Sequence, residues 1–217
     1  MDIPDPYGPA ARETQRALLR QGLKLASISA PPPNYTGGQP GMVSEPGQQE
    51  RFRHDFRRVA RYGTALNTAC IRLEISDGDT DTLIENLRWA SDFDPHRTLL
   101  IKANKTPGLF LADVHKAAEI VARADRDGVK LLFDASDAYA LHGDIIPVWN
   151  DVVTQVGHVE IASPPDRTAP SAGPIDFKAF FEHVNQSVYQ GWICAGYVPD
   201  ARRTDRTLSW MRKILAG

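Results

Sequence analysis

Residues 156–199 read VGHVEIASPPDRTAPSAGPIDFKAFFEHVNQSVYQGWICAGYVP, and the order of signals within them decides the fold. Residues 156–161 are a short apolar run with β-branched side chains, which predicts a strand. A loop rich in Pro, Asp, Ser and Gly follows, the place where a strand–helix unit carries its chemistry. Asp176 is placed to cap a helix whose apolar positions Phe177, Phe180, Phe181 and Val184 recur at helical spacing. Gly191 reads as the stop of that helix and 192–198 as the next buried strand, closed by Pro199.

The same alternation extends outward. Residues 129–133 predict a strand leading into Asp134, and a helix with Ile146, Val148, Trp149, Val152 and Val153 joins it to Gly157. Upstream, 98–103 reads as strand and 111–124 as helix, with Leu111, Val114, Ala118 and Val121 on its apolar face. Asp113 near its start suits the helix dipole, and His115 falls off the stripe as a surface residue. Strands at 69–75 and 23–30, helices at 79–92, 48–62 and 9–21, and a terminal helix at 203–215 complete the pattern. The turn-rich loop 34–47 is a candidate lid or binding loop. Such alternation predicts parallel strands joined by right-handed helical crossovers, an α/β fold in one domain over 1–217, with about six strands.

A formal net charge of −2 gives no electrostatic case for nucleic acid or an anionic membrane. Five arginines between Arg51 and Arg61 are interleaved with Glu50 and Asp55, which reads as a solvated helix face. No apolar run approaches the roughly 20 residues needed to span a bilayer. The first residues lack the basic-then-apolar order of a secretory signal. Cys70 and Cys194 sit in apolar runs, so core thiols and a cytoplasmic location are expected rather than a disulfide framework.

On these residues the chain resembles the hydroxypyruvate isomerase family, within the xylose-isomerase-like TIM barrels. The matches in 156–199 are Gly157, His158, Val159, Ile161, Ala162, Arg167, Pro170, Gly173, Ile175, Gly191, Trp192, Tyr197 and Pro199. LIENLRWASD at 83–92, LLFDASDAYALHGD at 131–144 and TLSWMRKI at 207–214 carry the resemblance along nearly all of the chain. It begins partway into the family pattern, whose first two strands and first helix have no counterpart. The resemblance therefore implies a shortened barrel of about six parallel strands with outer helices. Open barrel edges follow, and a homodimer or a partner chain is expected to cover the edge at 23–30 or its neighbour at the mouth. Ser29 and Tyr35 stand where the family has Asn and Trp, which makes Tyr35 a candidate substrate contact.

In a βα barrel the active site gathers at the C-terminal ends of the strands. Those ends supply Glu74, Lys102, Asp134, Glu160 and Gly196, and strand alternation puts His158 and Glu160 on one face. The resemblance implies a divalent metal held by Glu, Asp, Gln and Glu, the two glutamates acting as acid and base. Only Asp134 is kept. Lys102 replaces the first Glu, Glu160 the Gln, Gly196 the last Glu, and Asp137 a nearby histidine. Asp134 and Glu160 alone are a poor cage for a hard cation. Lys102, Asp134 and Glu160 carry the same net charge as three carboxylates around a divalent ion, so neither metal nor other cofactor is expected.

Lys102 then has three readings: a salt-bridged structural lysine, an acid or enolate stabiliser beside Asp134 or Glu160, or a Schiff-base lysine. Neighbouring carboxylates oppose the last by raising its pKa. Arg167 keeps the family's loop arginine and reads either as a ligand for a substrate carboxylate or phosphate or as a loop pin. His158 lies deeper, as a core histidine more than a substrate contact. Asp77, Asp137 and Asp166 read as turn or cap residues, and Tyr197 as pointing away from the mouth. Two functions stay open. One is a metal-independent isomerase, epimerase or lyase moving a proton on a small polar carbonyl or hydroxy acid. The other is a non-catalytic descendant serving as a binding or partner subunit. An open pocket with an unpaired Lys102 would favour the enzyme, and a mouth filled by salt bridges the descendant.

Overall fold

The computed structural model describes residues 1–8, 10–30, 42–75, 77–106, 108–171, 173–199 and 208–215. Tyr35 and most of the loop 34–47 lie outside them. Seven strands form one sheet in chain order, every neighbouring pair parallel: β1 Asp2–Ile3, β2 Ser27–Ser29, β3 Cys70–Arg72, β4 Thr98–Ile101, β5 Val129–Asp134, β6 Val156–Ile161 and β7 Ile193–Ala195. Helices α1 Ala11–Arg20, α2 Gln49–Leu66, α3 Thr80–Phe93, α4 Val114–Ala124, α5 Ala135–His142, α6 Ile145–Val152, α7 Phe177–Gln186 and α8 Ser209–Leu215 surround this nearly closed barrel.

The strand count corrects the expected six to seven. The extra strand is β1, two residues long and followed at once by Pro4 and Pro6, too short for any periodicity to mark it. It is held by the Met1 ammonium donating to the Lys24 carbonyl at 2.9 Å and by the Ala26 N–H donating to the Met1 carbonyl at 2.8 Å. Residues 23–30 are consequently not an edge, because β2 has a neighbour on each side. The edges are β1 and β7. The expectation that 192–198 is buried is also corrected: with one neighbour only, β7 leaves Trp192 and Ile193 exposed.

Alternation along the strands divides two environments. Ile71, Leu99, Ile101, Leu131, Phe133, Val159 and Ile161 face outward, into a core shared with Phe56, Leu83, Leu87, Trp149 and Phe180. Phe133 anchors this layer between Trp149, at a ring separation of 5.2 Å, and Phe180, at 5.8 Å. The intervening residues face the bore. Cys70, Leu100 and Leu132 make a small apolar cluster there, and Arg72, Lys102 and Asp134 follow two residues later on the same strand faces.

Aspartate side chains start five helices by accepting a free N–H: Asp79 on α3, Asp113 on α4, Asp134 on α5, Asp144 on α6 and Asp176 on α7. Helix α4 begins at Val114 rather than 111, since Leu111 adopts a left-handed φ of 62° with its side chain buried. Helix α5 was not expected, because Ala135–His142 has no apolar stripe to reveal it. At the barrel rim Gly78, with φ +148°, lies so close to the Ser44 carbonyl that a Cβ would approach it to 2.0 Å. Only glycine fits there.

Candidate active site

Among the described residues, three cations and four carboxylates meet at the C-terminal mouth. Lys102 ends β4 and donates from Nζ to Asp134 Oδ2 at 3.1 Å and Asp137 Oδ2 at 2.6 Å. Arg167, on the loop after β6, donates from Nη1 to Asp134 Oδ2 at 2.8 Å and Asp137 Oδ1 at 3.3 Å, and its Nη2 lies 3.5 Å from Glu160 Oε2. Arg72 donates to Glu160 Oε1 at 3.0 Å, while its Nε stands 3.1 Å from Glu74 Oε1. Arg167 itself takes a left-handed φ of 52°, uncommon for a non-glycine residue. Its backbone carbonyl accepts from Val198 N–H at 2.7 Å, and the Ser163–Thr168 bridge closes the turn around it.

These pairings set the protonation states. Burial alone would raise the Asp134 pKa, but the Lys102 and Arg167 charges outweigh it and hold the group at about 2. Burial raises the Glu160 pKa above its ordinary value; Arg72 opposes this and the Asp134 charge adds to it. Burial would lower the Lys102 pKa, yet Asp134 and Asp137 raise it, which keeps the ammonium charged. A Schiff-base role for Lys102 is thereby disfavoured, since it requires the free amine.

A cavity of about 710 Å³ opens over this cluster, lined among others by Ser29, Arg72, Glu74, Lys102, Asp137, Glu160 and Arg167. Of the expected site residues, Glu74, Lys102, Glu160 and Arg167 line it, and Asp134 lies just beneath through its contacts with Lys102 and Arg167. His158 does not reach it: fully buried, its Nε2 sits 2.8 Å from Asp2 Oδ2 in the bore. Two participants escaped the sequence reading. Arg72 is the last residue of β3, two before Glu74, and a second charge in the apolar run 69–75 is the signal that could have found it. Asp137, expected to be a cap, is buried and joins the cluster, and the turn of α5 that Asp134 caps presents it there. Tyr197 also lines the cavity rather than turning from it, with its ring 6.1 Å from that of Trp210.

The donor set does not fit a hard divalent ion. Asp134 Oδ1 accepts from the Ser136 and Asp137 N–H groups and Oδ2 from Lys102 and Arg167, so its acceptor sites are filled. Position 102 offers an ammonium, and Gly196 offers no ligand. A Cβ on Gly196 would stand 3.1 Å from Arg167 Nη2 and 3.4 Å from the Glu160 carboxyl carbon. The Arg167 guanidinium, which also donates from Nε to the Gly196 carbonyl at 3.1 Å, would have to shift by a few tenths of an ångström to admit a side chain at 196.

Against known proteins, the family model described as Xylose isomerase-like TIM barrel matches residues 2–214. The chain belongs to this family. It is 28% identical over 218 residues to a 2-oxo-tetronate isomerase of Pectobacterium atrosepticum, covering 94% of this chain and 83% of that one. Over 219 residues it is 25% identical to the hydroxypyruvate isomerase of Escherichia coli, covering 95% and 84%. Among solved structures, one titled AP endonuclease, family 2, from Brucella melitensis superposes with a TM-score of 0.90 at 27% identity, covering 98% of this chain and 86% of that one. A D-psicose 3-epimerase shares the fold, with a TM-score of 0.78 at 14% identity over 95% and 84%. The xylose isomerase-like barrel anticipated from sequence is therefore established, with seven strands. Among the described residues no helix is long and apolar enough to cross a membrane.

Proposed function

We propose that this xylose isomerase-like barrel is an isomerase or epimerase that moves a proton on a small polar carbonyl or hydroxy-acid substrate without a metal ion. The observation that carries the reading is Glu160. It is a buried carboxyl with a raised pKa, set between Arg72 and Arg167 at the wall of the 710 Å³ cavity. Glu160 takes the proton from the carbon next to the substrate carbonyl. The electron pair left behind moves onto the carbonyl oxygen, forming an enediolate. Lys102 and Arg167, fixed by Asp134 and Asp137, oppose that developing negative charge where the resemblance would place a cation. For isomerisation Glu160 returns the proton to the former carbonyl carbon while the proton of the adjacent hydroxyl passes to the former carbonyl oxygen; for epimerisation the Lys102 ammonium supplies a proton to the opposite face and recovers one from solvent, as Glu160 releases the one it took. The names of the sequence relatives, a 2-oxo-tetronate isomerase and a hydroxypyruvate isomerase, support the reaction class.

The test is deuterium wash-in. The chain is incubated in D₂O with a panel of small 2-oxo and hydroxy acids and ketoses, with EDTA present, and loss of C–H signal is followed by NMR. Exchange that survives EDTA and disappears in Glu160→Gln is expected. Exchange that requires Mn²⁺ or Mg²⁺ would overturn the metal-free reading. The second reading, a binding or partner subunit, is favoured by one observation: each mouth cation already has a carboxylate partner. Saturable ligand binding with no exchange from any member of the panel would select it.

A further inference from the structure

On the outer layer, Asp113, His115 and His142 bring one carboxylate oxygen and two ring nitrogens within 4.8 Å of one another. We infer that these three residues form a first-row transition-metal site, with Zn²⁺ the best-matched ion, that ties the start of α4 to the end of α5. The set shares no residue with the lining of the mouth cavity.

The chemistry fits the ion. Two imidazole nitrogens and one carboxylate are a common three-ligand set for zinc, with water completing the coordination. Asp113 is the cap of α4 and His115 its second residue, while His142 is the last residue of α5, so three backbone positions on helix ends fix the spacing. His115 is oriented from behind. Its Nδ1 is 3.7 Å from Asp113 Oδ1, and its Nε2 is 3.2 Å from Asp151 Oδ2 on α6. A carboxylate on the far ring nitrogen is what fixes the tautomer of a metal-bound histidine and raises its basicity. The second, independent observation is His142: its Nε2 is buried with no hydrogen-bond partner among the described residues, and its ring meets that of His115 edge-on with centroids 5.3 Å apart. A buried polar atom without a partner is costly unless something binds it. Ligand atoms bound 2.0–2.2 Å from zinc lie about 3.3 Å apart. The 4.8 Å spread can close by side-chain rotation, since Asp113 and His115 are about half exposed.

The probe is Zn²⁺ alone, titrated into metal-stripped protein by calorimetry, with Co²⁺ absorbance reporting the ligand field. One equivalent is expected to bind, raising the melting temperature by about 5–10 °C at a hundredfold excess over Kd. His115→Ala/His142→Ala should abolish the binding. Asp151→Asn, acting through His115, should weaken it about 10-fold while leaving the metal-free melting temperature unchanged. The competing cluster in the bore, Asp2, His158 and Cys194, provides the control. Unchanged binding in the double histidine variant, or binding lost in Cys194→Ser instead, would overturn the assignment. So would the absence of any binding below about 1 mM.

Discussion

Replacing Lys102 by Met removes the cation and keeps much of the volume. In the parent, Nζ bridges Asp134 and Asp137, whose side chains are only 2% and 6% exposed. Breaking a buried pair by removing one partner costs about 3–5 kcal/mol, because the other charge is left uncompensated. Here Arg167 stays on both carboxylates, at 2.8 and 3.3 Å, so the lower end, about 3 kcal/mol, is expected. For a chain of this length that is a fall of about 6–12 °C in melting temperature. The effect must also depend on pH. The folded pKa of Asp134 is depressed from 3.8 to about 2, so its contribution is present above pH 3.8 and lost as pH falls through 2. Removing Lys102 lifts that folded pKa. The gap between parent and variant is then full at neutral pH and narrows as pH falls from about 4 toward 2. Thermal unfolding of both proteins between pH 7 and pH 3 reads this directly. A variant within 1 °C of the parent, flat across that range, would refute the reasoning by showing that the ammonium bears no part of the carboxylates' charge.

Further outcomes follow from the same geometry. Glu160→Gln should slow deuterium wash-in by about 10²–10⁴-fold, and in the parent exchange should rise with pH through a midpoint above the ordinary glutamate value. Lys102→Glu/Gly196→Glu should gain a Mn²⁺- or Mg²⁺-dependent rise in melting temperature that the parent lacks at this mouth, read by thermal shift with and without EDTA. Cys194, whose thiol is pushed up to about 12 by burial and by Asp2, should resist iodoacetamide at pH 8, where only about one thiol in 10⁴ is ionised; mass spectrometry counts the adducts.

Legibility in the sequence followed the range of the interactions. The strand at 156–161 and the start of α7 at Asp176 were readable because alternation, apolar spacing and an aspartate cap are local signals. The placement of Lys102, Asp134 and Glu160 at one mouth was readable for the same reason, since strand parity fixes which residues face the bore. Arg72 and Asp137 were not, because their roles depend on partners 88 and 35 residues away. β1 has two residues and exists only through its ladder with β2, so nothing within it announces a strand. His158 shared the parity of Glu160 but sits two residues deeper, and its partner Asp2 comes from the far end of the chain.

Positions 102 and 196, where the resemblance implies glutamates, lie on the same cluster of charges. A divalent ion beside an ammonium at 102 would meet like-charge repulsion, and a side chain at 196 would require the Arg167 guanidinium to give way by a few tenths of an ångström. Lys102 and Arg167 converge on Asp134, and their charges hold its carboxylate ionised. The mouth still holds four carboxylates against three cations, and the surplus is felt at Glu160, which burial and the Asp134 charge push upward in pKa. Two carboxyls on adjacent strands thus move in opposite directions, the pattern that divides a fixed electrostatic partner from a proton carrier. In the proposed reaction Asp134 anchors the cations that stabilise the oxyanion. Glu160, whose pKa is raised and whose side chain lines the cavity, is the proton carrier in that proposal.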